Sequence, residues 1–240
     1  MMRMPRKRVV EFRRRPKLPA ELFPMPVPST RAVPQWYRDM PLYTNGDKEP
    51  RLTPGNASPK ACIPVFDAMT AGYMMLLPHD VEVRVYPEKP DEPHLHTSYL
   101  GPSIIKERGE DLAGMMPSLP GFTSGVFIWH TAFEAITPPG YSMLYTHPLN
   151  HDNLPFRTSS GFMDNDVYGH SGSIPFSVQK GWEGIIPKGT PFLQMIPIKR
   201  ETWHHFANEK VLEDDSETAI PRTVRRGYYR DTFWQKKEYK

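Results

Sequence analysis

Cysteine is nearly absent: Cys62 is the single one in 240 residues. One thiol excludes an internal disulfide framework and a cysteine-based zinc site, gives no sign of an oxidising compartment, and is expected to be buried and inert. Long apolar runs are missing as well. The longest candidate, Tyr73 to Leu77, stops at Pro78, well short of the roughly 20 residues of a membrane-spanning helix. The basic N-terminus has no apolar signal-peptide core, so a soluble, cytoplasmic protein that meets no membrane is expected. Glycine is scarcer than proline, 16 residues against 28, which argues against long helices and for β structure. No Walker loop, dinucleotide-binding fingerprint or internal duplication can be read.

What is present is enough for one folded domain with appendages: 38% hydrophobic and 12% aromatic residues can fill a core at this length. The net charge is only +3 but unevenly spread. Residues 1–59 form a basic, proline-rich arm. Arg3, Arg6, Lys7, Arg8, Arg13, Arg14, Arg15 and Lys17 face the single acid Glu11, a run that can hold a nucleotide or an acidic partner, or simply be solvated. From Pro16 to Pro34 prolines recur, which predicts an extended strap rather than helix. Trp36, Tyr37 and Tyr43 then offer aromatic anchors.

Residues 204–240 make an acidic linker, with Glu213, Asp214, Asp215 and Glu217, and a tail in which Arg225, Arg226, Arg230, Lys236 and Lys237 alternate with Tyr228, Tyr229, Phe233 and Trp234. Such a tail suits nucleotide bases or a short amphipathic helix docked on the body, and docking is the favoured reading.

Between these ends, residues 60–203 read as an all-β barrel or jelly roll, with an inserted segment at about 87–125. Strands are expected in "HDVEVRVY", "SGVFIWHT", "YSMLYTH", "SIPFSVQ", "EGIIPKG" and "PFLQMIPIK". In the first, Val81, Val83 and Val85 alternate with Glu82, Arg84 and Tyr86, the pattern of a half-buried antiparallel strand.

Four stretches, in order, are similar to the motifs of the trimeric dUTPases and the related dCTP deaminases. "TAGYMMLLPHDVEV" resembles the first, "ITPPGYSMLYTHP" the second, "GFMDNDVYG" the third and "IPKGTPFLQMIPIK" the fourth. The separations Gly140 to Gly161 and Gly161 to Gly189 are also close to that spacing. The resemblance covers Asp67 to Arg200 and implies a dUTPase-like β-clip core, assembly of three copies, and nucleotide chemistry with magnesium. It puts Asp164 where the water-activating carboxylate stands and Asp166 where the supporting one stands. The family's sugar-stacking tyrosine falls on Val167, with Tyr168 one place later, and Gln194 falls among the substrate-binding positions. The chain also resembles an uncharacterised family of phage-encoded proteins, met in T4-like marine phages, which implies a host-cytoplasmic or virion location.

The departures are as informative. Met74 replaces the acidic residue of the first motif, and "THPLNHDN" replaces the phosphate-binding Arg-Ser loop of the second. His147, His151 and the cation Arg157 stand nearby, but neutral imidazoles do not replace a guanidinium fork. Asp164 and Asp166 are therefore either a water-activating pair or supports of a polar hairpin joining two strands. The leading expectation is a non-hydrolytic binding or assembly protein on this scaffold; the alternative is a divergent magnesium-dependent pyrophosphatase using Asp164. A third reading takes His94 and His96, with Glu92, Glu107 or Glu134, as a cupin-like metal triad. A serine hydrolase built on Ser171 and His170 lacks the full nucleophile motif.

Overall fold

Proline at short intervals keeps this chain out of long helices, and the computed structural model is mostly strand, 38% against 14% helix. It describes residues 9–16, 18–44, 57–97, 103–108, 115, 117, 119–123, 127–169, 172–205 and 228–240. The first strands are β1 (Glu11–Arg14), β2 (Val27–Pro28), β3 (Tyr73–Leu76), β4 (Val81–Tyr86), β5 (Lys89–Thr97), β6 (Ile105–Glu107) and β7 (Phe127–His130). Then follow β8 (Phe133–Ile136), β9 (Tyr141–Thr146), β10 (Phe156–Thr158), β11 (Gly161–Met163), β12 (Ser173–Val178), β13 (Gly184–Ile186) and β14 (Pro191–Lys199). The helices are short: α1 (Gln35–Asp39), α2 (Ile63–Thr70) and α3 (Tyr228–Thr232).

The strands form antiparallel sheets in the orders β11-β9-β14-β3-β2, β10-β12-β7-β6, β13-β4-β5 and β1-β8. None of these sheets closes on itself, so the architecture is all-β and layered rather than a closed barrel. All six strands read from the sequence are present, and Val81 and Val83 point into the core as their alternation predicts.

The two larger sheets share one core. Trp129 of β7 stacks on Phe176 of β12 with centroids 3.7 Å apart, and meets Phe192 of β14 at 4.6 Å. Phe156 of β10 closes edge-on against Trp129. Burial of each such side chain contributes roughly 2 kcal/mol. The indole N–H donates to Thr158 Oγ1 at 2.9 Å, and that hydroxyl donates to the Phe192 carbonyl at 2.6 Å. One buried threonine thus ties the sheets together while satisfying the tryptophan.

Four features depart from, or sharpen, the sequence reading. Cys62 is exposed rather than buried, because it sits at the start of α2 ahead of the buried end of that helix at Met69 and Thr70. Within the basic arm, β1 pairs with β8, and Phe12 meets Phe133 and Tyr73 edge-on; this part of the arm is a strand of the body. Within the inserted segment, β5 returns along β4 as a hairpin, which sets His94 opposite Arg84 and His96 opposite Glu82. The C-terminal tail docks on its own body: Trp234 Nε1 donates to both Asp67 carboxylate oxygens at 3.1 and 2.9 Å, Lys237 pairs with Asp67, and Tyr239 packs edge-on against Tyr73. Arg3, Arg6, Lys7, Arg8, Lys17, Arg225, Arg226 and the acidic linker lie outside the described residues. No helix among the described residues is long and apolar enough to cross a membrane.

Candidate functional site

The stretch carrying Asp164 and Asp166 leaves β11, which pairs with β9 in the five-stranded sheet, and leads to β12, which pairs with β7 and β10 in the four-stranded one. It is a crossover between two sheets, not the hairpin expected from the sequence. The physical reason is that β11 and β12 find different partners; periodicity within a segment carries no information about which strand will be its neighbour.

The crossover is pinned at its middle residue. Asn165 is buried; its Oδ1 accepts the Tyr145 hydroxyl at 3.1 Å, its Nδ2 donates to the Tyr168 carbonyl at 3.0 Å, and its own carbonyl accepts the Thr137 N–H at 3.3 Å. Burial pushes the Tyr145 phenol well above its ordinary range, so it remains a neutral donor. The Asp164 carbonyl accepts the amides of Val167 and Tyr168, winding the chain into a turn that throws both side chains outward.

The two carboxylates on either side meet one cation. Arg200, just past β14, puts Nη1 2.9 Å from Asp164 Oδ1 and 2.8 Å from Asp166 Oδ1, and its Nη2 pairs with Asp166 Oδ2. The Ser142 hydroxyl donates to Asp164 Oδ1 at 2.6 Å, and the Gly140 amide donates to Asp166 Oδ2 at 2.8 Å. Gly140, with φ +81°, occupies the third position of a turn closed by the Tyr141 amide on the Pro138 carbonyl, where left-handed backbone is required. The Gly140 carbonyl in turn accepts the Arg200 amide at 2.8 Å, completing a closed ring of bonds.

The consequence is electrostatic. Hydrogen bonding from Arg200, then from Gly140, holds Asp166 down to about 2, while Ser142 and then Arg200 hold Asp164 below the usual carboxylate range. Both are ionised at neutral pH. Asp166 is nearly enclosed, its side chain 7% exposed, whereas that of Asp164 is 55% exposed. Ser142 and Arg200 both approach the Asp164 carboxylate at Oδ1.

The other sequence-derived site residues lie elsewhere. Arg157 pairs with Asp152 at 2.6 Å. His147 is buried, accepts the Thr158 amide on Nδ1 at 3.2 Å, and faces the His151 carbonyl with Nε2 at 3.3 Å. One ring nitrogen therefore accepts and the other donates, which is the neutral imidazole; burial foremost brings its pKa down to about 4. His151 is also buried, with its pKa lowered by the same cause. Gln194 is fully buried: Oε1 accepts the Leu149 amide at 2.8 Å, and Nε2 donates to the carbonyls of Ala68 and Ala71 at 2.9 and 2.8 Å. It staples the end of α2 to the loop after β9. Tyr168 is exposed. His170 and Ser171 lie outside the described residues. Among the described residues no three His, Cys, Asp or Glu side chains gather as a metal site would require, so His94 and His96 have no triad there.

Sequence reasoning missed Arg200, Ser142 and Gly140. Only Gly140 carried a signal, as the glycine of the Pro-x-Gly-Tyr turn; Arg200 lies at the end of a strand and 34 residues from Asp166.

Beside this clamp, a cleft of about 210 Å³ opens between β11 and the first half of β12, lined by Tyr145, Phe162, Met163 and Ile174 with the hydroxyl-bearing Ser160 and Ser173. It exists because β10, which pairs with β12 as far as Thr158 opposite Phe176, then diverges to become β11 beside β9.

No family model, no curated protein and no solved structure matches this chain.

Proposed function

We propose that this chain is a non-hydrolytic binding or assembly protein on a dUTPase-like, β-clip scaffold of three copies, encoded by a phage. The observation that supports a non-hydrolytic role is the Arg200 clamp: the carboxylate that would activate water is held by Ser142 and Arg200, and its neighbour by Arg200 and Gly140. A general base has to reach the proton it removes, and its basicity falls as cationic hydrogen bonds stabilise the anion. The four motif-like stretches support the scaffold, and the resemblance to phage-encoded proteins supports the source. The basic ends belong to the same proposal as sites for an acidic or nucleotide partner.

Magnesium does not fit the residues present. Asp164 and Asp166 are already paired with one guanidinium, and Met74, at the position of the family's acidic residue, is apolar and fully buried. One observation favours the pyrophosphatase reading: Asp164 is half-exposed, and Ser142 and Arg200 both meet it at Oδ1.

The deciding experiment is pyrophosphate release from deoxyribonucleoside and ribonucleoside triphosphates with magnesium, run for the wild type beside Asp164→Asn. The binding reading expects no turnover above the variant. Turnover that disappears with Asp164→Asn would overturn it in favour of the hydrolase.

A further inference from the structure

The corner around the Arg200 clamp is unusually apolar for a surface. Phe162 of β11, Val167 and Tyr168 of the crossover, Ile198 of β14 and Trp203 are all exposed, Trp203 by 83% and Phe162 by 68%. Each lies close in the chain or in strand register to a member of the clamp: Phe162 is two residues before Asp164, Ile198 pairs with Ser142, and Trp203 follows Arg200 by three. Phe162, Leu144 and Ile196 also face each other in one row across β11, β9 and β14. Aromatic side chains around an internally satisfied arginine form the composition of a protein–protein contact, and scattered exposure does not produce such a cluster.

Two parts of this corner fit one another chemically, and one copy does not join them. The cleft between β11 and β12 is walled by Met163, Ile174 and Tyr145 and edged by Ser160 and Ser173. That is an apolar slot sized for one large aromatic side chain, with hydroxyls available to accept an indole N–H. Trp203 is a large aromatic side chain that its own chain leaves in solvent. A knob and a hole on the same chain make a heterologous contact, which closes into a ring when copies are related by the right rotation.

We propose that Trp203 of one copy enters the β11–β12 cleft of a second copy of this chain, so that the cleft is completed only in the assembly. This rests on the assembly reading above and names the contact that makes it. Phe162, exposed and part of the cleft's lining, then forms the rim that excludes water around the anchor.

The test uses the full chain. Sedimentation equilibrium of the wild type is compared with Trp203→Ala and with Ser173→Trp, which fills the cleft from its exposed edge. The expected result is an oligomer weakened about thirtyfold or more by each substitution, the size of effect of truncating a central aromatic anchor. A second measurement places cysteines at Trp203 and Ser173 in a Cys62→Ser background, with oxidised glutathione as the oxidant that accepts the two thiol electrons. Disulfide-linked multimers should form only when both cysteines are present. An oligomer unchanged by Trp203→Ala and giving no linked multimers would overturn this contact while leaving the assembly reading in place. A wild type that is monomeric throughout would overturn both the contact and assembly, and the nucleotide panel would still judge hydrolysis separately.

Discussion

Gly72 shows how one residue can be fixed by its neighbours. Its φ is +67°, and a Cβ there would stand 2.0 Å from the Met195 carbonyl oxygen, in the backbone of β14. Gly72→Ala combines left-handed strain with a backbone clash and should destabilise the fold by at least about 2 kcal/mol, read by urea denaturation. His147 fixes a pH window. Its folded pKa of about 4 lies below the 6.5 of an ordinary imidazole, so the folded state favours the neutral ring. Its contribution is complete above pH 6.5 and is lost as pH falls toward 4, amounting to about 3 kcal/mol over that range. His147→Gln should flatten the fall in unfolding free energy between pH 7 and 4.5; an unchanged pH slope would show that the ring is not the titrating group. Asp166 acts in the same direction at lower pH, since its depressed pKa of about 2 keeps the Arg200 clamp charged until strong acid. The carboxylates were legible in sequence as a polar pair. Their cation was not, because an arginine at a strand end looks like any other surface charge.

At the scale of elements, α2 is held by one side chain from a strand. Gln194 of β14 reaches the Ala68 and Ala71 carbonyls and the Leu149 amide at once, and Asn150 Nδ2 donates to the Val65 carbonyl at 3.3 Å. Gln194→Leu keeps the volume but strands three backbone groups in the interior, so a loss of about 3 kcal/mol in unfolding free energy is expected. The C-terminal tail is held on α2 by Asp67. Asp67→Asn removes the charge that Lys237 and Trp234 share, and limited trypsin digestion should then cut at Arg230, Lys236 or Lys237 faster than in the wild type. Equal cleavage rates would mean that Tyr239 against Tyr73 suffices to hold the tail. Strand β4 was readable because alternation has a period of two, as in Val81 and Val83, and the other five as β-branched and aromatic runs between prolines and glycines. The short α2 was missed, since eight residues with Pro64 in the first turn carry too little periodic signal.

For the whole molecule, the buried aromatic cluster of Trp129, Phe156, Phe176 and Phe192 draws on both larger sheets, and β1 ties residues of the basic arm to the same body. Phe176→Ala should lower the melting temperature of the whole body in one transition and cost about 4 kcal/mol, as large-to-small changes in a packed core do. Two separate calorimetric transitions would show that the sheets fold independently. The sequence by itself determined the β class, six strands read as apolar runs between prolines and glycines, the turn glycines and the absence of a disulfide framework, because these follow from backbone sterics and local pattern. Tertiary structure alone decided that β11 and β12 lie in different sheets and that a cleft opens between them. It also decided that His147, His151 and Gln194 are buried bonds of the scaffold, and that Arg200 closes on Asp164 and Asp166. Those outcomes depend on which distant segments meet, and partner choice is set by packing of the whole chain rather than by the pattern of any stretch within it.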